Sequence, residues 1–215
     1  MANNPIVLQI TNYVKQQIMI ERYQVGERIS ERSLCETFGV SRTVVREALY
    51  ELKRTGWVYA ENKSGTYVME MDTDLMRQNY AARFCLEPKV LLMAYPNIDS
   101  DAIATMKEYC EKMSTAETTA LYSIYEHELH KTIYNKCGNV YIVDFFSQMM
   151  DSMIRIGAKA GRNQERRNAC IMEWNTIIDA LERHNPQKAM MVFQEHIHSS
   201  YEAFCQNNNM QEALF

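Results

Sequence analysis

Residues 38–59 read FGVSRTVVREALYELKRTGWVY. Gly39 supplies a tight turn, Ser41 is a helix-capping residue type, and Val45, Ala48, Leu49 and Leu52 recur behind it at helical spacing. The pattern predicts a helix that starts after Ser41, runs to about Thr55 and is ended by Gly56. With the apolar stripe turned inward, Arg42, Thr43, Arg46, Tyr50 and Lys53 are left on or near the opposite face. Arg42 and Arg46 lie one turn apart, and a forked guanidinium there can reach guanine edges or phosphate oxygens. Cations on the polar face of a surface helix are common, so the flanking sequence has to decide.

Upstream, Val7, Ile10, Val14 and Ile18 mark a first helix over 5–22, broken by Gly26 in YQVGER. Ser30 caps a short helix, ERSLCETF, which carries Glu31 and Arg32 in its first turn. Downstream, WVYA and TYVME flank a polar ENKSG turn and read as a hairpin with Gly65 at its tip. Helix, helix, turn, helix and hairpin make a winged helix-turn-helix. In that arrangement Arg32 approaches the DNA backbone from the side, and the helix N-terminus adds partial positive charge toward the phosphates.

The whole chain of 215 residues has a net charge of -4, which by itself argues against nucleic acid. Residues 1–70, however, hold nine Lys and Arg against eight Glu, a net of +1, and the remainder holds fourteen against nineteen, a net of -5. Phosphate contacts are local, so a near-neutral head with its cations on one face can bind DNA. The acidic remainder needs a different partner. A hydrophobic share of 47% with only seven Gly and four Pro suits a compact helical protein. Six cysteines without a close pair read as reduced core thiols. No apolar run is long enough to span a bilayer, and the N-terminal stretch does not read as a signal peptide, so a cytoplasmic protein is expected.

From Asp72 onward only helical periodicity is present, punctuated by Pro96, Gly138, Gly161 and Pro186. Helices are expected at about 74–95, 99–114, 117–136, 140–159, 165–184 and 186–206, with a frayed tail, QNNNMQEALF. The fold is therefore mainly α: a winged helix-turn-helix over 1–70 and an antiparallel all-helical bundle over 71–215. No fingerprint of a P-loop, Rossmann or serine-hydrolase enzyme occurs.

The stretch GERISERSLCETFGVSRTVVREALYELKRTGWVYAENKSGTYV, Gly26 to Val68, resembles the winged helix-turn-helix of GntR-type bacterial transcription regulators, above all in its VSRT and VREAL core. The resemblance implies that Arg32, Arg42 and Arg46, with Ser41 and Thr43 beside them, contact DNA and that Gly65 lies at the tip of the wing. One departure is Ser30, where the family commonly has proline.

From about Leu75 to Phe204 the chain resembles the FCD ligand-binding domain of the FadR-type subgroup. The resemblance rests on RFCLE (83–87), EHELH (126–130), CGN (137–139), EWNTI (173–177) and His196. It implies a helical bundle around a central pocket for a small metabolite such as an organic acid, and in many members a divalent metal held by one Asp and three His. The effector-site residues it implies are Arg83, Glu126, His130, Asn139, Trp174 and His196. Trp174 stands where the family has its middle histidine, and indole offers a metal no lone pair. Glu126 replaces the family aspartate. Three arrangements follow. The first is a metal-free pocket with Trp174 stacking on the effector. The second is a weak divalent site from Glu126, His130 and His196, and the third recruits His127 or His198. No resident cofactor is expected.

Glu126 and His130, spaced i, i+4, share a helix face. Arg83 reads equally as a carboxylate clamp or as the i, i+4 partner of Glu87. The leading function is a homodimeric transcription regulator, read as a repressor, that binds a palindromic double-stranded DNA operator and senses a small-molecule effector. Alternatives are a metal-assisted hydrolase in the helical part, or a DNA-binding dimer with no effector.

Overall fold

The computed structural model describes residues 4–61, 64–208 and 210. They form two compact units that divide between Met71 and Asp72.

In the first unit, α1 (Pro5–Met19), α2 (Glu31–Phe38) and α3 (Arg42–Arg54) pack around a core of Ile10, Val14, Leu34, Val45, Leu52 and Trp57. Asn4 and Ser30 cap α1 and α2 through their side chains. The first helix is shorter than its periodicity suggested, because Glu21 takes a left-handed φ of 60° just beyond the C-cap. Gly39 adopts φ 63° between α2 and α3, the conformation expected of the turn glycine.

The wing is a three-stranded antiparallel sheet, ordered β1 (Arg28–Ile29), β3 (Gly65–Val68), β2 (Val58–Glu61). The hairpin β2–β3 matches the sequence reading, but β1 has no counterpart in it: Arg28 falls in the YQVGER break and Ile29 in no expected element. A two-residue strand has no periodicity of its own, and it is defined by pairing Arg28 with Tyr67 and Ile29 with Thr66. The turn residues 62–63 lie outside the described residues.

The second unit consists of α4 (Thr73–Ala94), α5 (Ser100–Ser114), α6 (Thr119–Lys136), α7 (Val140–Ala160), α8 (Gln164–Glu182) and α9 (Pro186–Asn207), with a short 3-10 turn at Tyr95–Asn97. Each of the six helices starts on a side-chain cap: Asp72, Asp99, Thr118, Asn139, Asn163 and Asn185. Such a cap is worth about 1 kcal/mol, which explains why these boundaries could be read locally. Helix α4 packs on α9, α9 on α8, α8 on α5, α5 on α6, and α6 on α7. The core between them holds Leu91, Met106, Ile133, Phe146, Trp174 and Phe193. The frayed tail was expected from residue 206; α9 runs to Asn207, whose side chain donates to the Lys159 carbonyl at 2.9 Å. Residues 209 and 211–215 lie outside the described residues.

At Gly157 of α7 the bundle closes tightly on α6. A Cβ there would lie 2.5 Å from Ser123 Oγ and 3.2 Å from Glu126 Oε2, and Ser123 Oγ donates to the Ile154 carbonyl at 2.6 Å. The missing side chain thus makes room for Glu126 in the bundle interior.

Candidate functional site

The first unit presents a groove of about 650 Å³ between the start of α2, the start of α3 and the wing. Arg32, Arg42, Arg46 and Gly65, all singled out in the sequence, line it together. Arg46 Nε sits 3.1 Å from Glu31 Oε2, and Arg32 Nε is 2.8 Å from Glu36 Oε1. Both pairs are exposed, and exposed pairs are worth about 0–1 kcal/mol, so either arginine can exchange its carboxylate for a phosphate or a base. Ser41 and Thr43 are exposed at the N-terminus of α3. Ser41 holds the N-cap position, but its side chain makes no cap hydrogen bond, which corrects the expectation that it caps the helix. Its ψ of 158° leaves the backbone in cap geometry while the hydroxyl stays unused. Among the described residues, α3 is the one α-helix whose N-cap residue does not cap it.

Arg28 also lines the groove, and the sequence reading did not single it out. A Cβ on Gly65, whose φ is +133°, would fall 2.7 Å from Arg28 Nε. Gly65 lets the wing strand lie against that guanidinium. The available signal was the cross-strand pairing of β1, visible only in three dimensions.

In the second unit a cavity of about 20 Å³, room for about one water-sized particle, lies among α4, α6, α7, α8 and α9. Of the expected effector residues, Arg83, Glu126 and His130 line it. Arg83 is engaged by the partner that its alternative reading named: Nε donates to Glu87 Oε1 at 2.6 Å, and both side chains are buried. His130 Nδ1 lies 2.8 Å from the other Glu87 oxygen, and its Nε2 lies 3.4 Å from Arg83 Nη2. Burial would raise Glu87, but Arg83 and His130 outweigh it and hold the carboxyl below its ordinary range. Burial lowers His130, with Glu87 opposing, and pushes His127 down to about 3.

A second, partly buried network stands across from it. Arg166 binds Glu173 with two nitrogens, at 2.7 and 2.8 Å, and His196 Nδ1 lies 2.8 Å from Glu173 Oε2. Burial acts to raise Glu173, but the bonds from His196 and Arg166 hold it at about 2. His196 Nε2 is 3.6 Å from Glu126 Oε1, too long for a hydrogen bond, and this fully buried nitrogen has no partner. Cys170 Sγ donates to Glu126 Oε1 at 3.4 Å. Burial, then Glu126, raises its thiol well above the ordinary value.

Four expectations change here, the first being that His196 lines the cavity, which it does not. Asn139 does not line the cavity; its side chain accepts from Tyr141 N and Ile142 N and caps α7 in the loop beyond α6. Trp174 does not line it either. It is fully buried, edge-on to His130 with ring centroids 4.9 Å apart, and 5.3 Å from His196. It fills the space beside the two imidazoles and offers an effector no face within the cavity. The expected metal set of Glu126, His130 and His196 is likewise rearranged. His130 turns to Glu87 and Arg83, and the group whose ligand atoms lie within 4.8 Å of one another is Glu126, Cys170 and His196. Cys170 precedes Trp174 by one helical turn, the signal that could have disclosed it.

Residues 6–68 match the family described as bacterial regulatory proteins, gntR family, and residues 78–199 match the FCD domain. The uncharacterized HTH-type transcriptional regulator YdhC of Bacillus subtilis (strain 168) is 21% identical over 94% of this chain and 91% of its own length. The HTH-type transcriptional repressor NanR of Enterobacter sp. (strain 638) is 24% identical over 99% of this chain and 91% of its own. Among solved structures, E. coli McbR/YncC aligns with a TM-score of 0.75 at 21% identity, covering 95% of this chain and 99% of that one. A putative GntR regulator from Rhodococcus sp. RHA1 aligns with a TM-score of 0.76 at 16% identity, covering 95% and 98%. At such identities these structures speak for the fold. The families are those of transcription regulators and not of enzymes. With a DNA-binding head that matches one family model and a helical body that matches the other, the chain belongs to the GntR family of bacterial transcription regulators that carry an FCD domain.

Proposed function

We propose that this regulator is a cytoplasmic repressor that binds a palindromic operator as a homodimer and releases or tightens its grip when a small ligand occupies the helical unit. The observation that carries the DNA-binding half is the groove in which Arg32, Arg42, Arg46 and the wing glycine meet at the uncapped start of α3. Free backbone N–H groups and the helix dipole there suit a phosphate, while the arginines reach base edges. Ser41 and Thr43 add hydroxyl donors beside them. The repressor assignment follows the name of the NanR relatives. Among the described residues no helix is long and apolar enough to cross a membrane. The dimer is argued from recognition: one winged head reads too few base pairs, and two heads read half-sites one or more DNA turns apart.

For the helical unit the reading rests on Arg83, Glu126, His130 and His196 meeting in the bundle centre. An organic acid, the class suggested by the family resemblance, would meet an Arg83 guanidinium whose Nε is already engaged by Glu87.

The test is a gel-shift titration at fixed salt with the chain's own promoter DNA. Arg42→Ala and Arg46→Ala should each weaken binding by about 1–3 kcal/mol with unchanged circular dichroism. Unchanged affinity in both variants removes the recognition-helix assignment.

A further inference from the structure

The groove of the first unit has two walls. On one, Arg42 and Arg46 stand at the start of α3 and Arg32 at the start of α2; on the other is the wing, with Gly65, Thr66 and Arg28. Arg28 is exposed in β1, and the pairing of the sheet sets which way its side chain runs. It lies opposite Tyr67, and Tyr67 lies opposite Tyr59, so the three side chains share one face. Gly65, two residues before Tyr67, opens onto the same face, and a Cβ there would fall 2.7 Å from Arg28 Nε. The guanidinium is therefore laid over the wing glycine, at the turn end of the hairpin. Behind it Tyr59 and Tyr67 stack with ring centroids 5.5 Å apart, and the Tyr67 hydroxyl is bonded to Ser64 Oγ.

Charge sets Arg28 apart from two of its neighbours. Arg32 pairs with Glu36 and Arg46 with Glu31, whereas Arg28 pairs with no carboxylate among the described residues. It rests on backbone and has no ion pair to break before it meets an external acceptor.

The geometry of B-DNA says what that acceptor is. A helix such as α3 fits the major groove, which is about 12 Å wide. With α3 there, the sugar–phosphate strand that borders the groove runs in the channel between α3 and the wing. Beyond that strand lies the minor groove, so Arg28 stands across the backbone from Arg42 and Arg46. The minor groove shows few groups that tell one base from another, but over A·T-rich steps it narrows and its negative potential draws arginine.

We propose that Arg28 is a specificity-determining residue that enters the minor groove beside the base pairs met by α3 and makes the regulator favour A·T-rich flanks there. The proposal rests on the reading of the first unit as the DNA-binding head and adds recognition of DNA shape to recognition of base edges. Lysine is a poor substitute, because its compact ammonium is more strongly hydrated than a guanidinium and gives up more on entering a narrow groove.

The test begins with a duplex selected by the full-length protein from a random-sequence pool, on which hydroxyl-radical footprinting locates the minor-groove contact. The base pairs at that contact are then made all A·T, all G·C or all inosine·C. Inosine lacks the exocyclic amino group of guanine, so inosine·C has the minor-groove face of A·T and the major-groove face of G·C. Wild-type protein should bind the A·T and inosine duplexes about fivefold or more tighter than the G·C duplex. Arg28→Ala should level the three, and Arg28→Lys should keep the salt dependence while losing most of the preference. No preference in the wild type, or one that survives in Arg28→Ala, overturns the proposal. So does an equal loss on all three duplexes with the salt slope reduced by about one, which marks a phosphate contact. Arg42→Ala, run beside them, should weaken all three alike. If the wild type selects no duplex, or Arg42→Ala binds as the wild type does, the reading of the head fails instead.

Discussion

Arg83→Met tests whether the buried arginine holds the bundle together or waits for a ligand. The guanidinium donates to Glu87 Oε1 at 2.6 Å, and Glu87 is fully buried. Methionine keeps most of the side-chain volume but strands that carboxylate, with His130 left as its neighbour. Removing one partner of a buried ion pair costs about 3–5 kcal/mol, a large part of a typical domain's stability of about 5–15 kcal/mol. The cost should also depend on pH. In the wild-type protein Arg83 and His130 hold Glu87 below its unfolded value despite burial. That contribution is complete above the unfolded pKa of about 4.3 and is lost as pH falls below it. Without Arg83, burial prevails and the folded pKa lies above the unfolded one. Stability then falls as pH rises through it, so the loss relative to wild type should be larger at pH 8 than at pH 5. Urea denaturation followed by Trp174 fluorescence, in a Trp57→Phe background, reads the helical unit at both values. Arg83→Met combined with Glu87→Gln should recover part of the loss by removing the stranded charge. A loss below about 1 kcal/mol at pH 7, or one that shrinks toward pH 8, would refute the reasoning and return Arg83 to the role of a ligand clamp.

Gly157→Ala should destabilise the helical unit by about 1–3 kcal/mol, since its Cβ meets Ser123 Oγ at 2.5 Å; thermal melting checks this, and an unchanged midpoint contradicts the close approach of α6 and α7. Trp174→His places an imidazole beside His130 and His196. Calorimetry should show divalent-metal affinity rising by about 10-fold or more, and no gain would mean that the backbone at this position has left the family's geometry. Light scattering at micromolar concentration should give a homodimer, and a monomer both with and without DNA would contradict the proposed mode of operator recognition.

The DNA-binding head was legible because its signals are local. Ser30 and Gly39 punctuate the chain, the stripe Val45–Ala48–Leu49–Leu52 fixes which face of α3 is buried, and Arg42 and Arg46 are thereby exposed. The helices of the second unit were legible for the same reason, through their caps and through the proline and glycine breaks between them. Tertiary structure alone decided what joins residues far apart in the chain. It paired Arg28–Ile29 with Tyr67–Thr66, placed Arg46 beside Glu31, and brought Glu87 to His130 and Glu173 to His196. The bundle centre shows the difference most sharply. Glu126 and His130 share a helix face by spacing, yet they do not share a partner. The buried Glu87 needs two donors and takes His130 as one of them, and Cys170 from α8 fills the position left beside Glu126. Periodicity sets which face a side chain points to, but the cost of burying an unpaired charge sets which neighbour it keeps.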